Sequence, residues 1–387
     1  MMFAVVMSFV GAAVWIYLLG FRGMFWRLRE RDDADAVASP KTWPSVMAVV
    51  PARDEIATIE RSVGSLLAQN YPGEFRILVV DDQSGDGTGA RARDLDDGAR
   101  LNVLRGTEPP SGWTGKLWAL KQGVVHAGAA APHYLWFTDA DITHSPDNLR
   151  QLVGRAETGR MVMVSLMARL RCESFAERFL IPAYVFFFAM LFPFSRVNRL
   201  TDSTAAAAGG CILLRREALE RAGGIDSIRG EIIDDCALSR RMKKQGAIWL
   251  GLTDRAVSVR PYPHVRDIRR LIARSAYAQL GYSPILLIAT LAAMVVIYGA
   301  APFIAVLGSG QARLAAGLCW LFMAAAFQPV LRFYRRSPLW GVALPLIALF
   351  YAAFTLDSAI QFWRGQGGMW KGRTQTMTRQ NERSGRT

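Results

Sequence analysis

Ser45-Val46-Met47-Ala48-Val49-Val50-Pro51-Ala52-Arg53-Asp54-Glu55 is an apolar run that passes without a break into a charged turn. Near-continuous apolar character of this length suits a strand buried on both faces of a mostly parallel sheet. Residues 76–80, 101–104, 134–137 and 161–166 read the same way, and residues 57–68 read as an amphipathic helix completing a βαβ unit. From residue 41 to about 262 the chain therefore reads as a water-soluble α/β domain. In open α/β sheets ligands bind outside the carboxyl ends of the strands, so the turns that follow these runs are where chemistry is expected. The turn at Arg53-Asp54-Glu55 also fits a βα loop with solvated charges.

The second run ends in Val80-Asp81-Asp82-Gln83-Ser84-Gly85-Asp86-Gly87-Thr88. Carboxylates here can accept hydrogen bonds from a nucleobase or ribose, while N–H groups of the turn meet phosphate. The alternating acids and closing Glu of a calcium loop are missing. The run at 134–137 leads into Thr138-Asp139-Ala140-Asp141. Side chains at i and i+2 of an extended segment share a face, so Asp139 and Asp141 can converge on one divalent cation that also holds a diphosphate. In Gly112-Trp113-Thr114-Gly115-Lys116 the lysine follows a glycine turn and precedes a helix-compatible run, which suits a phosphate; a plain surface lysine fits the same residues. Walker spacing is absent, which argues against an ATPase. Gly209-Gly210-Cys211-Ile212-Leu213-Leu214-Arg215-Arg216 gives a small-residue approach to an apolar strand. Gly230-Glu231-Ile232-Ile233-Asp234-Asp235-Cys236-Ala237-Leu238 sets two acids after a glycine turn, either as a general base in a cleft or as helix caps.

The 387 residues amount to two or three domains. Half are hydrophobic (51%) and only 20% are charged, which excludes a disordered chain or a nucleic-acid-binding tail. The net charge of +14 then points to anionic lipid headgroups and phosphorylated substrates. Cys172, Cys211, Cys236 and Cys319 are far apart, so neither a disulfide framework nor a zinc site is expected and a reducing cytoplasmic setting fits. His126, His133, His144 and His264 form no metal-binding pair, which leaves carboxylates as the metal ligands.

Residues 1–21 are uncharged and are followed by Arg22, Arg27, Arg29 and Arg31, the pattern of an uncleaved transmembrane anchor with the following chain in the cytoplasm. Residues 179–194 are apolar and aromatic-rich but short for a span, and read as a buried or interfacial element. Residues 281–308, 314–331 and 338–356 are span candidates. The expected organisation is an anchor at 1–21, a cytoplasmic α/β domain at 41–274, a membrane region at 275–363 and a basic tail at 364–387. Three crossings would put that tail outside, although it carries six Lys/Arg and one acid, which the positive-inside rule disfavours. Arg255, Arg260, Arg266, Arg269, Arg270 and Arg274 precede the membrane region and suit either anionic lipid or a diphosphate leaving group.

Taken in order, the Pro-Ala-Arg-Asp-Glu, Val-Asp-Asp-Gln-Ser, Gly-Trp-Thr-Gly-Lys, Asp-Ala-Asp, Gly-Gly-Cys-Ile-Leu-Leu-Arg-Arg and Ile-Asp-Asp-Cys-Ala-Leu segments resemble the motif series of family 2 glycosyltransferases over residues 45–280. The Gly-Trp-Thr-Gly-Lys segment, the interrupting apolar stretch and the apolar C-terminal half resemble the hopene-associated glycosyltransferases of bacteria. The resemblance implies a GT-A fold, a nucleotide-diphosphate-sugar donor such as a UDP-sugar, a divalent cation (Mg or Mn) and inversion at the anomeric carbon. It implies a lipid acceptor, a hopanoid in the narrower group, and a multi-pass protein of the bacterial inner membrane. By position, Pro51, Ala52, Arg53 and Glu55 would line the nucleotide site, with Asp81 and Asp82 at the base and ribose. Asp139 and Asp141 would hold metal and diphosphate beside Lys116, and Asp235 would be the general base, with Asp234 standing where Glu is usual.

The Gln-x-x-Arg-Trp motif of processive members is not present, Arg274 being its nearest counterpart, which favours transfer of one sugar. Trp370-Lys371-Gly372-Arg373 resembles a tail motif of lipid-glycosylating relatives and requires a cytoplasmic tail. Two other readings stay open: transfer to a polyprenyl phosphate, which needs no base, and a non-catalytic nucleotide-sugar or lipid-binding protein.

Overall fold

The computed structural model describes residues 2–33, 37–96, 98–368 and 371. It divides into two compact units, one of residues 30–171, 196–261 and 368–387, the other of residues 1–29, 172–195 and 262–367. Residues 172–195 and 262–274, which the sequence groups with the sheet, cluster with the apolar helices instead.

The first unit is built on β1 (Val46–Ala52), β2 (Phe75–Asp81), β3 (Leu101–Arg105), β4 (Tyr134–Thr138), β5 (Ile142–His144), β6 (Met163–Arg169), β7 (Cys211–Arg215) and β8 (Ile248–Ser258). They form one sheet in the order β3-β2-β1-β4-β7-β6-β8-β5. β3, β2, β1 and β4 pair in parallel, as do β6 and β8, while β7 and β5 run against their neighbours. All seven residues of β1 and all five of β4 are buried, as their unbroken apolar sequences require of central strands. The helix Ile59–Leu67 buries Ile59, Ser62, Val63 and Leu66, one face at helical spacing. Helix Gly115–Gly128 lies close on β1 and β2 because Gly123 has no side chain: a Cβ there would stand 2.4 Å from Val49 Cγ1.

The sequence missed β5 and β8. β5 is three residues long, and β8 carries Thr253, Asp254 and Arg255 in its second half, which breaks the apolar run. Polar residues are tolerated there because Asp32 accepts from Thr253 Oγ1 at 2.6 Å and from Arg255 Nη1 at 3.0 Å.

The second unit is helical. Among the described residues, four helices are long and apolar enough to cross a membrane, with windows at Ala4–Phe21, Pro284–Leu307, Gly310–Phe333 and Pro338–Trp363. The expected element at 179–194 is the helix Phe175–Leu191, which starts earlier because Ser174 and Glu177 form a capping box that an apolar-run reading cannot register. Buried Glu177 also accepts from the N–H of Tyr262 at 2.7 Å, and Tyr351 Oη donates to the Leu180 carbonyl at 2.9 Å.

Candidate functional site

The turns after β1 and β2 are laced together. Asp54 adopts φ +50°, its N–H donates to Ser84 Oγ at 3.1 Å, and the N–H groups of Glu55 and Ile56 donate to Thr88 Oγ1 and Asp86 Oδ2 at 2.8 and 3.0 Å. Pro51 and Ala52 end β1 in register with Val80 and Asp81. Asp82 is fully buried, and Arg53 Nη1 donates to its carbonyl at 2.6 Å with the Asp82 carboxylate 3.7 Å away. Asp81 accepts from the Ser84 N–H at 3.0 Å and lies against the backbone of Gly89, where a Cβ would come within 2.2 Å of Asp81 Oδ2. The residues expected to line a nucleotide thus share one edge of the sheet.

Asp141 accepts from Arg260 Nε at 2.7 Å and Ser258 Oγ at 3.4 Å. The other arm of Arg260 bonds Glu55, which is also paired with Lys371 Nζ at 2.9 Å and accepts from Thr58 Oγ1 at 3.0 Å. Lys371 donates to the Asp54 carbonyl at 2.9 Å, and its own carbonyl accepts from Arg53 Nε at 3.2 Å. Arg260 was legible only as one of six arginines; the sharper signal is that it follows β8 by two residues, on the same sheet edge as the turn after β1. Of the tail motif, Trp370, Gly372 and Arg373 lie outside the described residues. Arg274 lies in the helical unit, exposed at the end of helix Val265–Ala273.

Lys116 Nζ stands 2.9 Å from Asp139 Oδ1 and 3.2 Å from Asp234 Oδ2. Thr114 caps the helix that carries Lys116, its side chain accepting from the Leu117 N–H. Asp234 and Asp235 open the helix Asp234–Lys243, but Ile233 is its N-cap and no side chain caps it, so the capping reading of these acids does not hold and both line the cleft instead. Asp235 Oδ2 accepts from the Gly209 N–H at 2.9 Å and Oδ1 from the Cys236 N–H at 2.7 Å. These groups line a cleft with Leu117, Leu120, Phe137, Ile212, Ile225, Ile228 and Leu238. Burial over that apolar floor, with the Asp234 charge adding to it and Lys116 opposing, pushes Asp235 up to about 6. Asp139 also lies above the usual carboxylate range, through burial first, with Lys116 pulling it down and Asp141 and Asp234 raising it.

Among the described residues no three His, Cys, Asp or Glu side chains form a metal cluster. Asp139 and Asp141 nonetheless fit a divalent cation that takes its remaining ligands from a diphosphate or water, since they offer hard oxygen donors from one strand end and the Asp141 charge raises the proton affinity of Asp139. Each is at present balanced by a protein cation, Lys116 or Arg260.

A parallel-centred sheet with acidic turns along its carboxyl edge places a ligand site outside those strand ends. Residues 47–223, a little under half of the chain, match the glycosyl transferase family 2 model. Over 115 residues, 30% of each chain, it is 35% identical to the succinoglycan biosynthesis protein ExoO of Rhizobium meliloti (strain 1021), so the match spans under a third of that relative. The mannosyltransferase PcManGT from Pyrobaculum calidifontis, solved with GDP-Man and Mn2+, superposes with a TM-score of 0.57 at 20% identity, over 92% of this chain and 99% of that one. Glucosyl-3-phosphoglycerate synthase from Mycobacterium tuberculosis, solved with Mn2+ and UDP-Glc, gives a TM-score of 0.37 at 21% identity, over 62% and 79%. The fold is GT-A-like, an α/β architecture with a mostly parallel sheet.

Proposed function

We propose that the protein is an inverting glycosyltransferase that moves one sugar from a nucleotide-diphosphate-sugar to a membrane lipid, a hopanoid being the acceptor the motif resemblance implies. The observation that carries this reading is Asp235: a carboxylate held by two backbone N–H groups, pushed up to about 6, in the same cleft as Lys116 and Asp139. Asp235 takes the proton of an acceptor hydroxyl as its oxygen bonds the anomeric carbon, and the bond from that carbon to the diphosphate breaks with its electron pair on the departing nucleotide. Lys116 and Arg260 are the protein cations positioned for the diphosphate. A divalent cation held by Asp139 and Asp141 would supply further neutralisation of that leaving group.

The four apolar helices support a multi-pass protein of the bacterial inner membrane, and Arg22, Arg27 and Arg29 after the first of them support a sheet unit facing the cytoplasm. The pairing of Lys371 with Glu55 of the sheet unit supports a tail on the side of that unit, and hence an even number of crossings between residues 261 and 371, with one stretch re-entrant or residues 275–312 holding two crossings.

The test is transfer or hydrolysis of UDP-, GDP- and dTDP-sugars by the purified chain in detergent, with and without Mn2+, against an Asp139→Ala/Asp141→Ala variant. Turnover of one donor, lost in the variant, is expected. Neither turnover nor donor binding across the panel, from folded protein, overturns the reading.

A further inference from the structure

Thr138 is buried at the end of β4, one residue before Asp139, and its hydroxyl donates to the Gly210 carbonyl at 2.9 Å. That bond uses its only proton, so in the 2.8 Å contact between Thr138 Oγ1 and His144 Nε2 the imidazole is the donor. His144 Nδ1 is then an acceptor, and Asn148 Nδ2, an amide that can only donate, sits 3.0 Å from it. The roles form one consistent chain from Asn148 through His144 and Thr138 to the Gly210 carbonyl. Burial brings His144 down to about 3, so it stays neutral through the physiological range.

The chain ends on a turn that needs holding. Gly209 and Gly210 have no side chains to pack and more backbone freedom than any other residue. Ser165 of β6 fixes the turn from one side, accepting from the Ala208 N–H at 2.9 Å. Thr138 of β4 fixes it from the other, and between these two anchors the Gly209 N–H reaches Asp235 Oδ2 at 2.9 Å.

We propose that Thr138, backed by His144 and Asn148, is a positioning residue that clamps the Gly209–Gly210 turn so that the Gly209 N–H orients and stabilises the Asp235 carboxylate. It acts on Asp235 alongside the neighbouring charges Asp234 and Lys116, and its catalytic consequence rests on the reading of Asp235 as the base. The geometry itself does not.

Infrared titration of the full-length protein in detergent separates the two claims. Asp235 is followed as the carboxylic-acid C=O band that is missing from Asp235→Asn. In Thr138→Val, and in Thr138→Ala should the valine variant not fold, the midpoint of that band rises by about one pH unit as the N–H bond is lost. Thr138→Ser, which keeps the hydroxyl, stays at the wild-type midpoint. On whichever panel donor the wild type turns over, Thr138→Val loses about tenfold or more in kcat with donor KM unchanged, and Thr138→Ser recovers it. A wild-type midpoint in both Thr138→Val and Thr138→Ala overturns the clamp, as does a serine variant that behaves like valine. Full turnover by Asp235→Asn would instead remove the base and leave the infrared result to judge the clamp.

Discussion

Arg260 Nε lies 2.7 Å from Asp141 Oδ2, a pairing of residues 119 positions apart that puts a protein cation on a carboxylate suited to a metal. On the proposed metal site, Arg260 and a divalent cation would compete for the same oxygen. Among the described residues, Arg260→Ala leaves the Asp141 carboxylate with Ser258 and Glu55 with Lys371 and Thr58. The donor-free protein is expected to lose about 1–3 kcal/mol, as for other half-buried groups stripped of a partner. Millimolar Mn2+ should raise the melting temperature of the variant more than that of the wild type. Equal Mn2+ shifts in the two proteins would show that the competition does not exist.

Lys116 lowers the proton affinity of both Asp235 and Asp139, so its removal raises both. A base must be ionised to act, and turnover therefore climbs with pH through the Asp235 pKa. The wild-type acid limb is expected near pH 6, and that of Lys116→Gln at higher pH. A pH–rate profile of donor turnover reads this directly, and a limb that stays in place removes Lys116 from the electrostatics of the base.

Asp235→Asn should cut turnover by about 10²–10⁴ while donor binding, followed by isothermal titration, is retained. The same variant carries a stability signature. Because the folded pKa of Asp235 is raised, its contribution is present below the unfolded value near 3.8 and is lost as pH rises through about 6. The asparagine variant should therefore gain melting temperature relative to wild type at pH 8, with the gap shrinking at pH 5. A gap that does not vary with pH contradicts the raised pKa.

A methyl group on Gly89 would overlap Asp81 Oδ2 at 2.2 Å. Gly89→Ala should displace the Asp81 carboxylate, cost about 1–3 kcal/mol as overpacking does, and weaken nucleotide-sugar binding. Unchanged nucleotide affinity in a variant whose Asp81 is displaced would take Asp81 out of the donor site.

On the proposed topology the pairing of Lys371 with Glu55 puts Lys371 on the same side of the membrane as the sheet unit. All four native cysteines are buried, so an introduced thiol can be labelled against a quiet background. In sealed vesicles Lys371→Cys and Ser84→Cys should react with a membrane-impermeant maleimide from the same side. Labelling from opposite sides would mean an odd number of crossings.

Much of this arrangement could be read from residue order alone. The strand runs ending at Val50, Val80 and Phe137 are apolar enough to be buried on both faces, and the acids that follow each run fall at the strand ends. The same logic failed for β8, whose second half carries Thr253, Asp254 and Arg255. Those residues are legible as strand only once Asp32, more than 200 positions away in the chain, is known to bond Thr253 and Arg255. Arg260 was hidden for the same reason: its role depends on where β8 ends, and that was not visible.

What the sequence determined by itself is whatever depends on neighbours along the chain: the strand periodicity, the apolar helices, the Asp139/Asp141 spacing and the acidic pair at Asp234 and Asp235. The tertiary structure decided which distant charges meet. Lys116 bridges Asp139 and Asp234, Arg260 bridges Asp141 and Glu55, and the Gly209 N–H finds Asp235. It also set the proton affinity of Asp235, because desolvation over an apolar floor comes from residues gathered out of several separate elements. Hydrogen bonds and ion pairs act within a few ångströms, and residue order carries no record of which distant side chains the sheet brings that close.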